Sequence, residues 1–136
     1  MFMTVIATMM SVLGTTQTPQ DLLWVAIVKV ESGGNPKARN VKEDACGVAQ
    51  IRPIMVRECN RIARVQCKRL HFTLADRWSP AKSRQMFDLY TAYWCKVRKV
   101  QTDEAKARLW NGGPTGHRKK ATRAYWAKVK RALKKI

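Results

Sequence analysis

The chain has 136 residues, 46% hydrophobic and 26% charged, which excludes a disordered or fibrous polypeptide and allows one domain with its own core. Lysines and arginines number 27 against 9 aspartates and glutamates, a formal net charge of +18. Such a surface attracts polyanions, whether nucleic acid, anionic lipid or an anionic cell wall, and does not choose among them. Cys46, Cys59, Cys67 and Cys95 show neither a CxxC pair nor Cys/His zinc spacing, so no metal site is expected. Two disulfides in an exported chain and ordinary buried thiols both remain open.

Residues 1–17 form an apolar N-terminal segment, with Phe2, Met3, Val5, Ile6, Met9, Met10, Val12 and Leu13. It lacks the basic leader of a secretory signal and is too short to span a bilayer. A helix over Met1–Gly14 packed on the core is the expectation, with a non-standard export segment as the alternative. No transmembrane segment is expected.

The next stretch organises the chain. Thr18 suits an N-cap, Pro19 the first helical position and Asp21 the first turn. Leu22 to Val30 is apolar on every side apart from Lys29, which predicts a helix wrapped by others. Gly33-Gly34 and Pro36 stop it. Glu31 is thereby left at the C-terminal end of a buried helix, where partial negative charge and apolar neighbours disfavour its ionised form. A carboxyl still protonated near neutral pH can act as a general acid.

Residues 32–45 read as a loop holding the acidic pair Glu43-Asp44. After Gly47-Val48-Ala49-Gln50-Ile51, Pro53 starts a helix whose Ile54, Met55, Ile62 and Val65 are expected inward, with Arg52, Arg57, Arg61 and Arg64 outward. His71 to Trp78 is irregular, and Ser79-Pro80 opens a helix to about Val97. Thr102-Asp103-Glu104 starts another, stopped at Asn111-Gly112-Gly113-Pro114. The last helix is expected from about Lys120 to Ile136, with Tyr125, Trp126, Val129, Leu133 and Ile136 on one face and a basic face opposite. Strand signals are nearly absent, so the fold class is mainly α.

Four segments, in order, resemble the soluble-type lytic transglycosylases, whose catalytic domain has the lysozyme-like fold of goose-type lysozyme. Val30-Glu31-Ser32-Gly33 with Asn35-Pro36 resembles that family's "ES-G-NP" stretch, and Gly47-Val48-Ala49-Gln50-Ile51 with Pro53 its "GLMQ-I-P". Trp110-Asn111-Gly112-Gly113-Pro114 stands where the family has "YNAGP", and Thr122-Arg123-Ala124-Tyr125 with Lys128-Val129 is similar to "TR-Y-KV". The resemblance covers about residues 20 to 133. It implies a single lysozyme-like catalytic domain over 18–136, with at most a short β-hairpin near the cleft. Glu31 would be the sole catalytic acid/base, Gln50 and Asn111 would line the sugar cleft, and Tyr125 would position the glutamate. Departures are Val48-Ala49 for Leu-Met, Trp110 for tyrosine and Gly112 for alanine. Trp110 keeps a face for stacking on sugar, and Ser32 is expected to hydrogen-bond near the cleft.

The implied reaction cleaves the bond between N-acetylmuramic acid and N-acetylglucosamine in peptidoglycan glycan strands, forms a 1,6-anhydro sugar and needs no cofactor. Most glycosidases use two carboxylates; here one used twice suffices. Of the other acids, Asp21 starts a helix, Glu58, Asp88, Asp103 and Glu104 sit on helices far along, and Asp76 has no assigned place. Only Glu43 and Asp44 lie between two motif segments, so a lysozyme-type hydrolase with either as second carboxylate is the runner-up. A basic helical domain binding nucleic acid is the rival from another class, although no recognised nucleic-acid motif is present and no specific nucleic acid is expected. A lysozyme-fold binding protein without activity is the third. The expected setting is outside the cytoplasm at the cell wall, as a monomer, with a phage virion or secretion machinery as the delivery partner. His71 and His117 receive no role, Trp24, Trp94 and Trp126 are expected in the core, and Trp78 is left open.

Overall fold

The computed structural model describes residues 14–136, so the helix expected over Met1–Gly14 lies, apart from Gly14, outside the described residues. Among the described residues, five α-helices and one small hairpin form a mainly α-helical fold. Helix α1 (Pro19–Ser32) begins with a reciprocal cap: Thr18 Oγ1 accepts from the Asp21 N–H at 3.1 Å, and the Asp21 carboxylate accepts from the Thr18 N–H at 2.9 Å. Gly33, with φ +64, ends it and returns its N–H to the Lys29 carbonyl. Burial is narrower than the all-round apolar sequence predicts. Leu23, Ala26 and Ile27 are sealed, whereas Val25 is 42% exposed. The helix packs mainly against α5 (Arg123–Lys134), with α4 (Asp103–Gly112) beside it and the Trp24 ring set 5.3 Å from that of Phe87.

Strands β1 (Arg39–Asn40) and β2 (Ala45–Cys46) pair antiparallel, Arg39 opposite Cys46 and Asn40 opposite Ala45. Ile51 then bridges back to Cys46, so the Gly47–Gln50 segment forms a closed turn beside the end of α1. Helix α2 (Pro53–Val65) follows, and its inward face is only partly the expected one: Ile62 is buried, Met55 packs against the core, and Arg52, Arg57 and Arg64 are exposed, as expected. Val56, Cys59, Ile62 and Ala63 are buried, while Ile54 is 66% and Val65 58% exposed. Those buried positions keep the three- and four-residue spacing of one helix face, which Ile54 and Val65 lie off.

A 3-10 turn at Leu74–Trp78 fills the segment read as irregular, and Asp76 caps it by accepting from the Thr73 N–H at 2.8 Å. Helix α3 (Pro80–Arg98) opens on Ser79 as expected and buries Met86, Phe87, Leu89 and Tyr90 in the core. Its Phe87 and Tyr90 meet the Trp110 ring of α4 edge-on, at centroid distances of 5.2 and 5.7 Å. Leu23 and Ile27 of α1, Leu109 of α4 and Val129 of α5 complete the core.

Helix α5 starts at Arg123, later than expected, after 3-10 turns at Gly116–Arg118 and Lys120–Thr122. The cause is local. Thr122 Oγ1 accepts from Arg108 Nε at 2.8 Å and donates to the Gly116 carbonyl at 2.7 Å, which holds the segment down on α4 before a helix can begin. Ile136, expected on the apolar face, is exposed beyond the last turn. All four cysteines are free thiols, three of them buried and Cys67 exposed. Among the described residues, no helix is long and apolar enough to cross a membrane.

Gly47 sets how the closed turn sits. It has φ +79, and a methyl group there would run into the Arg77 carbonyl oxygen. Gly47→Ala is expected to cost about 3 kcal/mol, from left-handed strain plus overpacking, read as a lower urea midpoint at unchanged slope.

Candidate active site

A groove of about 620 Å³ opens where the end of α1, the hairpin, the first turns of α2 and the end of α4 converge. Glu31 stands on the last turn of α1 and lines it. Burial pushes its carboxyl up from the ordinary 4.5 to about 7. The Tyr125 hydroxyl beside it, the positive charges of Arg52 and Lys128, and the negative charge of Glu43 modify that value, the first three downwards and Glu43 upwards. Glu31 therefore holds its proton into the neutral range while facing an open groove.

Tyr125 comes from α5, which packs across α1. Its hydroxyl is buried without a hydrogen bond of full geometry, and its neighbour is the Glu31 carboxyl. Burial first, then the Glu31 charge, raise the phenol above its usual range, so it stays neutral and can donate to an ionised Glu31.

Gln50 adopts φ +49 in the closed turn. Its Nε2 donates to the Ala38 and Gly47 carbonyls at 3.0 and 2.9 Å, which commits both amide protons to the hairpin and leaves Oε1 as the atom it offers to a ligand. Asn111, exposed on the last turn of α4, lines the groove with Gly113 and Pro114.

Two expected contacts change role. The Ser32 hydroxyl donates to the Val48 carbonyl at 2.8 Å and accepts from the Gly34 N–H at 3.2 Å; it pins the closed turn to α1 and is not among the groove-lining residues. Trp110 does line the groove, but it is only 7% exposed and its ring is held by Phe87 and Tyr90. It is a wall of the groove, not an open platform for a sugar face.

The acids also sort differently from expectation. Asp44 is turned away: its carbonyl accepts from Arg77 Nη1 at 2.8 Å, with its carboxylate 3.4 Å from the same nitrogen. Glu43 does line the groove, 2.6 Å from an Arg52 nitrogen. Glu58, expected far along its helix, lines it too, gripped by Arg61 at 2.6 and 2.9 Å. That grip holds the Glu58 carboxyl below its usual range, so it is ionised and not a proton donor at neutral pH.

Sequence reasoning missed Asn40, Arg52, Met55, Glu58 and Tyr90 as groove residues. One signal was available: Ile54, Met55 and Glu58 share a face of α2 directly after Pro53, and Ile54 lines the groove instead of the core. Trp78 is exposed and is not among the groove-lining residues. Among the described residues, no group of three His, Cys, Asp or Glu side chains is arranged to hold a metal ion.

No protein-family model matches the chain, and no curated protein matches it in sequence.

Two predictions concern the acid itself. The folded chain keeps the Glu31 proton up to about pH 7, whereas the unfolded chain releases it near 4.5. The stabilisation belonging to this group is complete below pH 4.5 and is lost as pH rises through about 7, by about 3 kcal/mol in all. Glu31→Gln is expected to remove that slope from urea-denaturation stabilities measured across the range. Tyr125→Phe removes a donor to the ionised form, so the Glu31 midpoint, followed by carboxyl-carbon NMR titration, is expected to move above that of the wild type.

Proposed function

We propose that the chain is a peptidoglycan lytic transglycosylase of the soluble type, with a lysozyme-like catalytic domain and Glu31 as its acid and base. The observation that carries this reading is one largely enclosed carboxyl, pushed up to about 7 by burial, that faces a groove reached by two of the three other resembling segments. Gln50 and Asn111 line that groove, and Tyr125 adjoins the acid.

The chemistry follows from the one group. Protonated Glu31 gives its proton to the bridging oxygen as the bond from that oxygen to C1 of the muramic acid breaks. The sugar's own N-acetyl oxygen stabilises the positive charge left at C1. Ionised Glu31 then takes the proton of the C6 hydroxyl as O6 closes onto C1, giving the 1,6-anhydro sugar and restoring the acid. Water is not consumed. The Tyr125 hydroxyl favours the ionised stage, and burial favours the protonated one, so both forms lie within reach near neutral pH.

The basic surface supports the same reading, since an anionic wall is its natural counter-surface. The exposed side of α5, with Arg123, Lys128, Lys130, Arg131 and Lys134, concentrates that charge. Action at the wall outside the cytoplasm, with delivery by a virion or a secretion system, belongs to this proposal.

One observation favours a second reading. Glu43 lies in the same groove and its charge acts on Glu31, so it is a candidate base to activate water in a lysozyme-type hydrolase. Its carboxylate is engaged by Arg52 at 2.6 Å, so that contact must open before it can reach a water.

Mass spectrometry of digested peptidoglycan separates the two. Anhydromuramic ends are expected from the wild type, and Glu31→Gln is expected to lower turnover by about 10²–10⁴-fold. Free reducing ends would establish the hydrolase. Absence of muropeptide release by a folded wild type, together with salt-dependent binding of DNA, would replace both with the nucleic-acid reading.

A further inference from the structure

Arg52 and Glu43 face each other in the groove that holds Glu31. Arg52 is the residue before α2, and Glu43 lies in the turn joining β1 to β2. Their side chains approach to 2.6 Å, and each is about half exposed. This pair is unlike the others in the molecule. Arg61 grips Glu58 through two nitrogens, Arg84 joins Asp21 of α1 to Asp88 of α3, and Arg108 ties Glu104 to Thr122. Those arginines are bound at several points and brace helices. Arg52 has a single side-chain partner among the described residues, and no side chain caps the first turn of α2.

A half-exposed ion pair adds little to folding, so exchanging one carboxylate for another on Arg52 costs little. The substrate class proposed above carries that very group. Muramic acid bears a lactyl carboxylate, either free or joined to a peptide that has carboxylates of its own. The sugar whose bond is protonated by Glu31 must lie in this groove, where the charges of Arg52 and Glu43 both reach Glu31.

We infer that Arg52 is the receptor for a carboxylate of the muramic acid residue, and that Glu43 is the internal stand-in that occupies it until the glycan arrives. The inference rests on the peptidoglycan reading. It makes Arg52 the residue that distinguishes a carboxylated glycan from an uncharged one. The exchange also has a consequence at the acid. The groups facing Glu31 are Tyr125 and Lys128 from α5, Arg52 from the start of α2 and Glu43 from the hairpin turn. Binding leaves Arg52 neutralised by substrate and Glu43 without its partner, which adds one negative charge near Glu31 and holds its proton in place until the bond breaks.

The test compares steady-state cleavage of three substrates: stem-free glycan strands with free lactyl carboxylates, the same strands with those carboxylates amidated, and strands that keep their peptide stems. The wild type is expected to prefer carboxylated over amidated strands. Arg52→Gln is expected to raise KM on carboxylated strands by about 10-fold and to abolish the preference. Glu43→Gln, which removes the competitor, is expected to lower KM on the same strands. The opposite signs are decisive, because a salt bridge that merely braces the hairpin would change KM in the same direction from either side. Thermal melts of both variants report whether the fold is kept, and the KM shifts are read on folded protein. An Arg52 effect confined to stem-bearing strands assigns the carboxylate to the peptide; an effect on stem-free strands assigns it to the lactyl group. Same-sign KM changes, or equal wild-type rates on amidated and carboxylated strands together with no Arg52 effect on stem-bearing strands, overturn the inference and leave the transglycosylase reading intact. No cleavage of any strand by the wild type removes that reading and this one with it.

Discussion

The cost of keeping water from one carboxyl organises this molecule. Glu31 is mostly enclosed, and a charge there is opposed by its surroundings until about neutral pH. The enclosure requires two separate parts of the chain. Helix α5 must cross α1 so that Tyr125 stands over the carboxyl, and the closed turn after β2 must be pinned to the end of α1 by Ser32. The central packing of Phe87, Tyr90 and Trp110 fixes the other wall of the groove. A folded state that keeps such an acid gives up some stability at neutral pH for it, which is common where a group is held ready for chemistry.

Helix beginnings were legible because they depend on short-range chemistry. Thr18 with Pro19, Ser79 with Pro80, and Thr102 each open the helix their residues predict. The faces those helices bury were less legible. For α2, periodicity offered Ile54 and Val65, yet the bundle buries Val56, Cys59 and Ala63 with Ile62. An apolar residue can belong to a groove as readily as to a core, and only tertiary packing decides between them. The late start of α5 has the same origin, since Arg108 and Thr122 meet across 14 positions in sequence.

At the site, the residues visible in the sequence were those in short motifs: Glu31, Gln50, Asn111 and Tyr125 reach one groove or adjoin its acid. Residues brought in by helix geometry were not visible. Glu58 arrives because it lies one turn beyond Ile54 on the same face, and Arg52 because it precedes that helix at the groove edge. Ser32 and Trp110 were legible as important positions but not as roles. A hydroxyl beside the acid became a pin for a loop, and an indole beside a glycine turn became a wall.

The four thiols differ in what can reach them. None is joined to another, and three are packed inside. Cys67 is the exposed one, so an oxidant or alkylating reagent meets it first while the fold stands.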